Sequence, residues 1–357
     1  MQRYQGLDAL RGVAAAAIVI VHYDLYRGVP SFSGGVLAVD IFFALSGFVI
    51  ADAYEQKLRN GMSSARFVSM RFLRFYPVYL VGLAISLSAL VFRGFFGNAG
   101  WEGVDPTAIF LSIFMIPSIH RANVPEVHLF ILNIVVWSLF FEFLVNAIFG
   151  FLLYNLKTRT LMGLCFFLLP IVVFYSISYN GVDAGFDWGT FNFGFVRAFI
   201  SFTVGMVVFR VRDSLPVNRI AMSISPLVLV GALISRSYMQ DVSIFDILFI
   251  SMLVPLMLAF NANKVEFPIF ASLFRFLAYV SYALYMIHVP LNAFFGGVYH
   301  RYFSSSLVLS LGFASFCFFL TIAFSYLVTR FIDDPVRVWL KARSRLRLIN
   351  PRLAEAE

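Results

Sequence analysis

The stretch from Leu7 to Asp24, LDALRGVAAAAIVIVHYD, is long and apolar enough to cross a bilayer, and runs like it recur along the chain. About 20 consecutive apolar residues are needed to span the hydrocarbon core as a helix. In lipid every backbone polar group must be satisfied internally, which leaves only helices and closed barrels. Apolar runs fall at 8–26, 35–54, 75–92, 107–118, 135–154, 160–179, 190–209, 220–238, 243–260, 276–296 and 306–330. The composition agrees: 61% of the 357 residues are hydrophobic, 13% are charged, and mean hydropathy is +0.85. Soluble domains carry about a quarter charged residues. The first run has a short polar lead, carries Arg11 and lacks a small-residue cleavage site, so it reads as a signal anchor. Cys165 and Cys317 both sit in apolar runs and read as packing residues.

The run TAIFLSIFMIPS at 107–118 is too short to cross. The positive-inside rule supports treating it as a re-entrant or surface segment. The loops on the N-terminal side then hold Lys57, Arg59, Arg66, Arg71, Arg74, Lys157, Arg159, Arg210, Arg212, Arg219, Lys264 and Arg275. The opposite loops hold Arg27, Arg93, Arg121, Arg236 and Arg301. The expectation is an all-α integral membrane protein of ten transmembrane helices in one bundle, with both termini cytoplasmic. Residues 1–335 form the membrane-embedded unit and 336–357 a basic cytoplasmic tail. The net charge of +8 is then an orientation signal and an attraction to anionic lipids, with no nucleic-acid partner implied.

Polar side chains within spans are costly and mark function by default. Arg11 and His22 are eleven residues apart, so they share one helix face to within about 20° and lie roughly 16 Å apart along the axis. Glu142, in VVWSLFFEFLVN, falls at a depth similar to His22 and is placed to orient it. The competing role for Glu142 is a buried ion pair with Arg197. Asp40 opens the span VDIFFALSGFVI and reads as an N-cap-like residue. In the same span Ser46–Gly47 permits close helix approach. Arg71 and Arg74 share a helix face and suit phosphate groups, or serve only as positive-inside charge. His288, in VSYALYMIHVPLN, precedes Pro290 and reads as a packed, hydrogen-bonded histidine. No HxxxH, HExxH or CxxC spacing occurs, so no metal is expected.

These motifs, in this order, resemble the acyltransferase-3 family of integral-membrane O-acyltransferases: LDALRG with Arg11 and His22, VDIFFALSGFVI, RFLRFYP with Arg71 and Arg74, WSLFFEF, SYALYMIHVPL, and a basic ending after FIDDPVR. The segment between the third span and WSLFFEF departs from the family pattern. The resemblance implies transfer of an acyl group, most often acetyl from acetyl-CoA as co-substrate, to a carbohydrate hydroxyl of a cell-surface polysaccharide or lipo-oligosaccharide, in a bacterial inner membrane. It implies phosphate binding by Arg11, Arg71 and Arg74, with His22 as general base and Glu142 orienting it. Arg197 or the Trp137–Ser138 turn would bind the sugar or stabilise the oxyanion. Transient acylation of His22 stays open, as does the oligomeric state. The alternative of another class is a secondary transporter or carrier of a polysaccharide or lipid precursor, for which the Arg71–Arg74 cluster would be unnecessary. A non-catalytic partner in polysaccharide assembly is a third.

Overall fold

A computed structural model describes residues 4–23, 32–95, 105–121, 123–264, 271–303 and 306–349. Arg27 and Arg352 lie outside these, and the side chains of Arg93, Arg301, Lys341, Arg343, Arg345 and Arg347 are likewise not described. Among the described residues there is no strand, only one isolated antiparallel bridge between His128 and Asp187.

Nine described helices are long and apolar enough to cross a membrane. They are α1 (Gln5–Tyr23), α2 (Ser33–Arg59), α3 (Ser64–Phe95), α6 (Thr158–Ser178), α7 (Phe191–Val211), α8 (Arg219–Arg236), α9 (Ser243–Asn261), α10 (Ala271–Tyr302) and α11 (Leu307–Val328). Between them lie α4 (Pro106–Ile113) and α5 (Val136–Phe151), and α12 (Asp334–Ile349) follows α11 through a π turn at Thr329–Asp333. The expected tenth span is α5; its 16 residues rise about 24 Å, short of the core thickness.

Helix α4 is the short segment at 107–118. Asp105 caps it, accepting from the Thr107 amide at 2.8 Å, and Pro106 occupies the first turn where no N–H is needed. Its end reaches the middle of α3. The Tyr76 hydroxyl donates to the Ile113 carbonyl at 2.7 Å, and the Tyr79 hydroxyl donates to the Ser112 carbonyl. The segment therefore leans back onto α3 instead of running on as a full span.

Helix α1 is the central element and packs against α2, α8, α9, α10 and α11. Its GVAAAA run suits that position, because small side chains let backbones approach where no hydrophobic force drives helices together in lipid. Helices α2 and α7 meet still more closely. A Cβ on Gly47 would run into the Phe202 carbonyl, and one on Gly205 into the Ala44 carbonyl. Helix α6 lies at the periphery and turns Phe166, Phe167 and Phe174 outward, as a lipid-facing helix must.

Opposite the end where α1 begins, residues 118–130 and 182–190 pair through backbone bonds such as Leu129 N to Phe186 O at 2.8 Å and Trp188 N to Val127 O at 3.2 Å. Two buried arginine–aspartate pairs anchor this cap. Arg197 grips Asp40 and donates Nη1 to the Val182 carbonyl at 2.6 Å. Arg236 grips Asp246 at 2.7 and 2.9 Å, and Asp246 accepts from the Val182 amide at 3.0 Å.

Candidate functional site

The site is a column of polar side chains along α1, α3, α5 and α10. At its far end are two histidines. Nε2 of His288 lies 3.2 Å from Nδ1 of His22, with the rings edge-on at 4.8 Å between centroids. Pro290 helps to place His288. A proline removes the N–H that would bond the carbonyl four residues back, here that of Met286, and Asn133 Nδ2 takes its place at 2.9 Å. Asn292 donates to the His22 carbonyl at 3.0 Å, locking α1 to α10 at this level.

The neighbouring carbonyls assign the tautomers. A carbonyl only accepts, so Nδ1 of His288, 3.0 Å from the Leu284 carbonyl, carries a proton and its Nε2 is an acceptor. Nδ1 of His22 faces the Ile18 carbonyl at 2.9 Å and that acceptor Nε2, so it too carries a proton. The basic nitrogen of the pair is Nε2 of His22.

One layer toward the N-terminal side, the hydroxyls of Tyr285 and Ser138 are 2.6 Å apart, and the Tyr285 ring packs on His288 and Phe42. Next comes Glu142, one turn beyond Ser138. Its Oε1 accepts from Ser46 at 2.6 Å and lies 3.7 Å from Arg71 Nη2. Glu142 therefore neither orients His22 nor pairs with Arg197. It sits about 6 Å below Ser138 along α5, at the level of the arginines.

The lowest layer is cationic. Arg71 stacks over Phe75 with its Nε buried and unpartnered. Arg74 makes a two-pronged pair with Asp333, and its guanidinium lies 5.2 Å from the Tyr282 ring centre. Arg337 also reaches Asp333, at 2.5 Å. Arg11, on α1, is half-buried.

Arg197 and Asp40 stand apart from this column. All the guanidinium nitrogens are engaged: Nε with Asp40, Nη1 with Val182 and Ala184 carbonyls, Nη2 with Asp40 and the Val36 carbonyl. Arg197 thus has no donor left for a sugar or oxyanion, and the Asp40 carboxylate serves Arg197 and Ser201 in place of a helix cap. Trp137 packs on this pair, 5.8 Å from the Arg197 guanidinium.

Sequence reasoning missed Tyr282, Tyr285, Asp333, Arg337 and Asp183. The first two lie on the His288 helix at offsets of six and three, which a face-by-face reading of SYALYMIH would have exposed. Asp183 is an exposed carboxylate between the buried Val182 and Ala184.

A family description, Acyltransferase domain, matches residues 4–330. The chain belongs to this acyltransferase family. It is also similar to Protein 2 in picA locus of Rhizobium radiobacter, at 35% identity over 159 residues, covering 42% of this chain and 82% of that protein. No solved structure matches it. The polar column accordingly belongs to a multi-pass membrane acyltransferase.

Proposed function

We propose that this acyltransferase moves an acetyl group from acetyl-CoA to a carbohydrate hydroxyl, in a bacterial inner membrane with both termini cytoplasmic. The observation that carries this reading is the column itself: a guanidinium cluster at one end, a histidine with a free basic nitrogen at the other, and α1 contributing to both. A donor with phosphates at one end and a thioester on a long thin arm matches those two ends.

Arg11, Arg71 and Arg74 hold the phosphates on the cytoplasmic side. Glu142 and Ser46 keep Arg71 in place between visits of the donor. The arm runs past Tyr282 and Tyr285 and sets the thioester carbon beside His22. Nε2 of His22 takes the proton from the acceptor hydroxyl as its oxygen attacks that carbon. The carbon–sulfur bond then breaks, the proton passes from His22 to the departing sulfur, and CoA leaves as the thiol. His288 supports the transient imidazolium, since its Nε2 accepts from the His22 Nδ1–H throughout. The Ser138–Tyr285 hydroxyl pair lies nearest for stabilising the oxyanion. Residues 1–335 form the catalytic unit, and 336–357 its basic tail.

The test is acetyl-CoA-dependent CoA release by purified protein with a mixture of bacterial glycans, comparing wild type with His22→Ala. The expected outcome is loss of transfer by about 10²–10⁴-fold with acetyl-CoA binding retained. Near-normal transfer by a folded His22→Ala protein would remove His22 from the chemistry.

A further inference from the structure

The guanidinium cluster contains one member that the donor-binding motif does not supply. Arg337 lies in the first turn of α12, beyond the last span, yet it shares the Asp333 carboxylate with Arg74. Asp333 is 2% exposed, so the carboxylate that joins the two arginines is interior, although Arg337 itself is only partly buried. The π turn at Thr329–Asp333 inserts the extra residue that turns Asp333 inward, and Arg337, four residues on, follows it on the same helix face.

The junction is short of negative charge. Arg71, Arg74 and Arg337 share the two carboxylates of Glu142 and Asp333, which leaves one positive charge in excess. It is also short of acceptors. The Nε–H groups of Arg71 and of Arg337 are both buried with no partner, and an unmet buried donor is costly, more so when charged. An anion with several oxygens meets both deficits. We infer that Arg337 is the fourth guanidinium of a phosphate-binding site, delivered to Arg71 and Arg74 by the C-terminal helix through Asp333. This rests on the reading of that end of the column as the donor's, and it makes α12 part of the binding site.

The experiment titrates CoA into the full chain held in zwitterionic-lipid nanodiscs, for wild type, Arg337→Ala, Arg337→Lys and Arg330→Ala. Arg330 is an exposed neighbour paired with Asp334 at 3.9 Å, so its loss removes the same charge away from the junction. Arg337→Ala should weaken CoA binding about ten-fold or more, since a charge-assisted bond is lost. Arg337→Lys should fold like wild type and bind with intermediate affinity, because an ammonium cannot fork. Arg330→Ala should bind within about two-fold of wild type, as exposed charges contribute little. Pyrophosphate and short-chain phosphatidylglycerol, titrated separately, distinguish a nucleotide phosphate from a lipid headgroup. Binding of either with the same variant order, but no CoA binding by wild type, would remove the donor reading and keep the assignment of Arg337. Unchanged affinity for all three ligands in Arg337→Lys and Arg337→Ala, or an equal loss in Arg330→Ala, overturns it.

Discussion

At the scale of single residues the sharpest expectation concerns His288. In the proposed reaction it would give up no proton; its Nε2 would accept from His22 Nδ1–H, alongside the Ile18 carbonyl, and so help to leave Nε2 of His22 as the base. His288→Ala should lower kcat by a factor of about 10–100, the usual cost of losing a partner that orients a working side chain, with little change in KM for acetyl-CoA. His288→Gln can present an amide oxygen toward His22 and should recover part of that loss. Steady-state kinetics on the three proteins would decide it, and equal activity in all of them would reduce His288 to packing. Residue identity was legible in the sequence where polarity was out of place: Arg11, His22, Glu142, Arg197 and His288 all drew notice inside apolar runs. Partnership was not. A depth estimate set Glu142 beside His22, but depth fixes one coordinate only, and the contact with Ser46 and Arg71 depends on how α2, α3 and α5 turn their faces. Asp40 read as a cap because it opens a span. Nothing within the chain's local pattern says that an arginine 157 residues later will take its carboxylate.

At the scale of elements, hydropathy located the long helices, and length alone identified α4 as unable to cross. The irregular turns escaped it. The π turns at Ala51–Glu55, Phe249–Leu253 and Thr329–Asp333 leave no signature in a hydropathy run. One of them decides where Asp333 points. One close helix contact, by contrast, was half visible, since Ser46–Gly47 was read as permitting approach and Gly205 completes it. Gly205→Leu should separate α2 from α7 and draw Ser46 away from Glu142. The expected result is a fall in thermal stability of the detergent-solubilised protein together with weaker acetyl-CoA binding. A Gly205→Leu protein with wild-type melting temperature would mean that the helices shift without strain.

For the molecule as a whole, the proposed orientation rests on the basic residues of one side. In a chain with Cys165 and Cys317 replaced by alanine, Ala65→Cys should react with a membrane-impermeant thiol reagent only after the cytoplasmic face is opened, and Tyr238→Cys in intact spheroplasts. Both positions are exposed, and the reverse labelling would invert the assignment of the donor side. Stability is also a property of the whole, because the two buried ion pairs hold distant segments together. Arg197→Ala leaves the Asp40 carboxylate buried without its counter-charge and should cost about 3–5 kcal/mol, measured by denaturant unfolding in micelles. Arg236→Ala should cost a similar amount through Asp246.

The two pairs share a residue. Val182 offers its carbonyl to Arg197 and its N–H to Asp246, while Arg197 also holds the Val36 carbonyl and Arg236 the Ser33 carbonyl. A buried ion pair can often be exchanged for apolar residues of equal size at little cost. Here the exchange carries a further cost, because Met and Leu at 197 and 40 would leave the buried carbonyls of Val182 and Ala184 without the Arg197 donor. A lineage could not drift from salt bridge to oil at either pair by steps that each leave the fold intact. The charges act as clasps on the backbone as well as on each other.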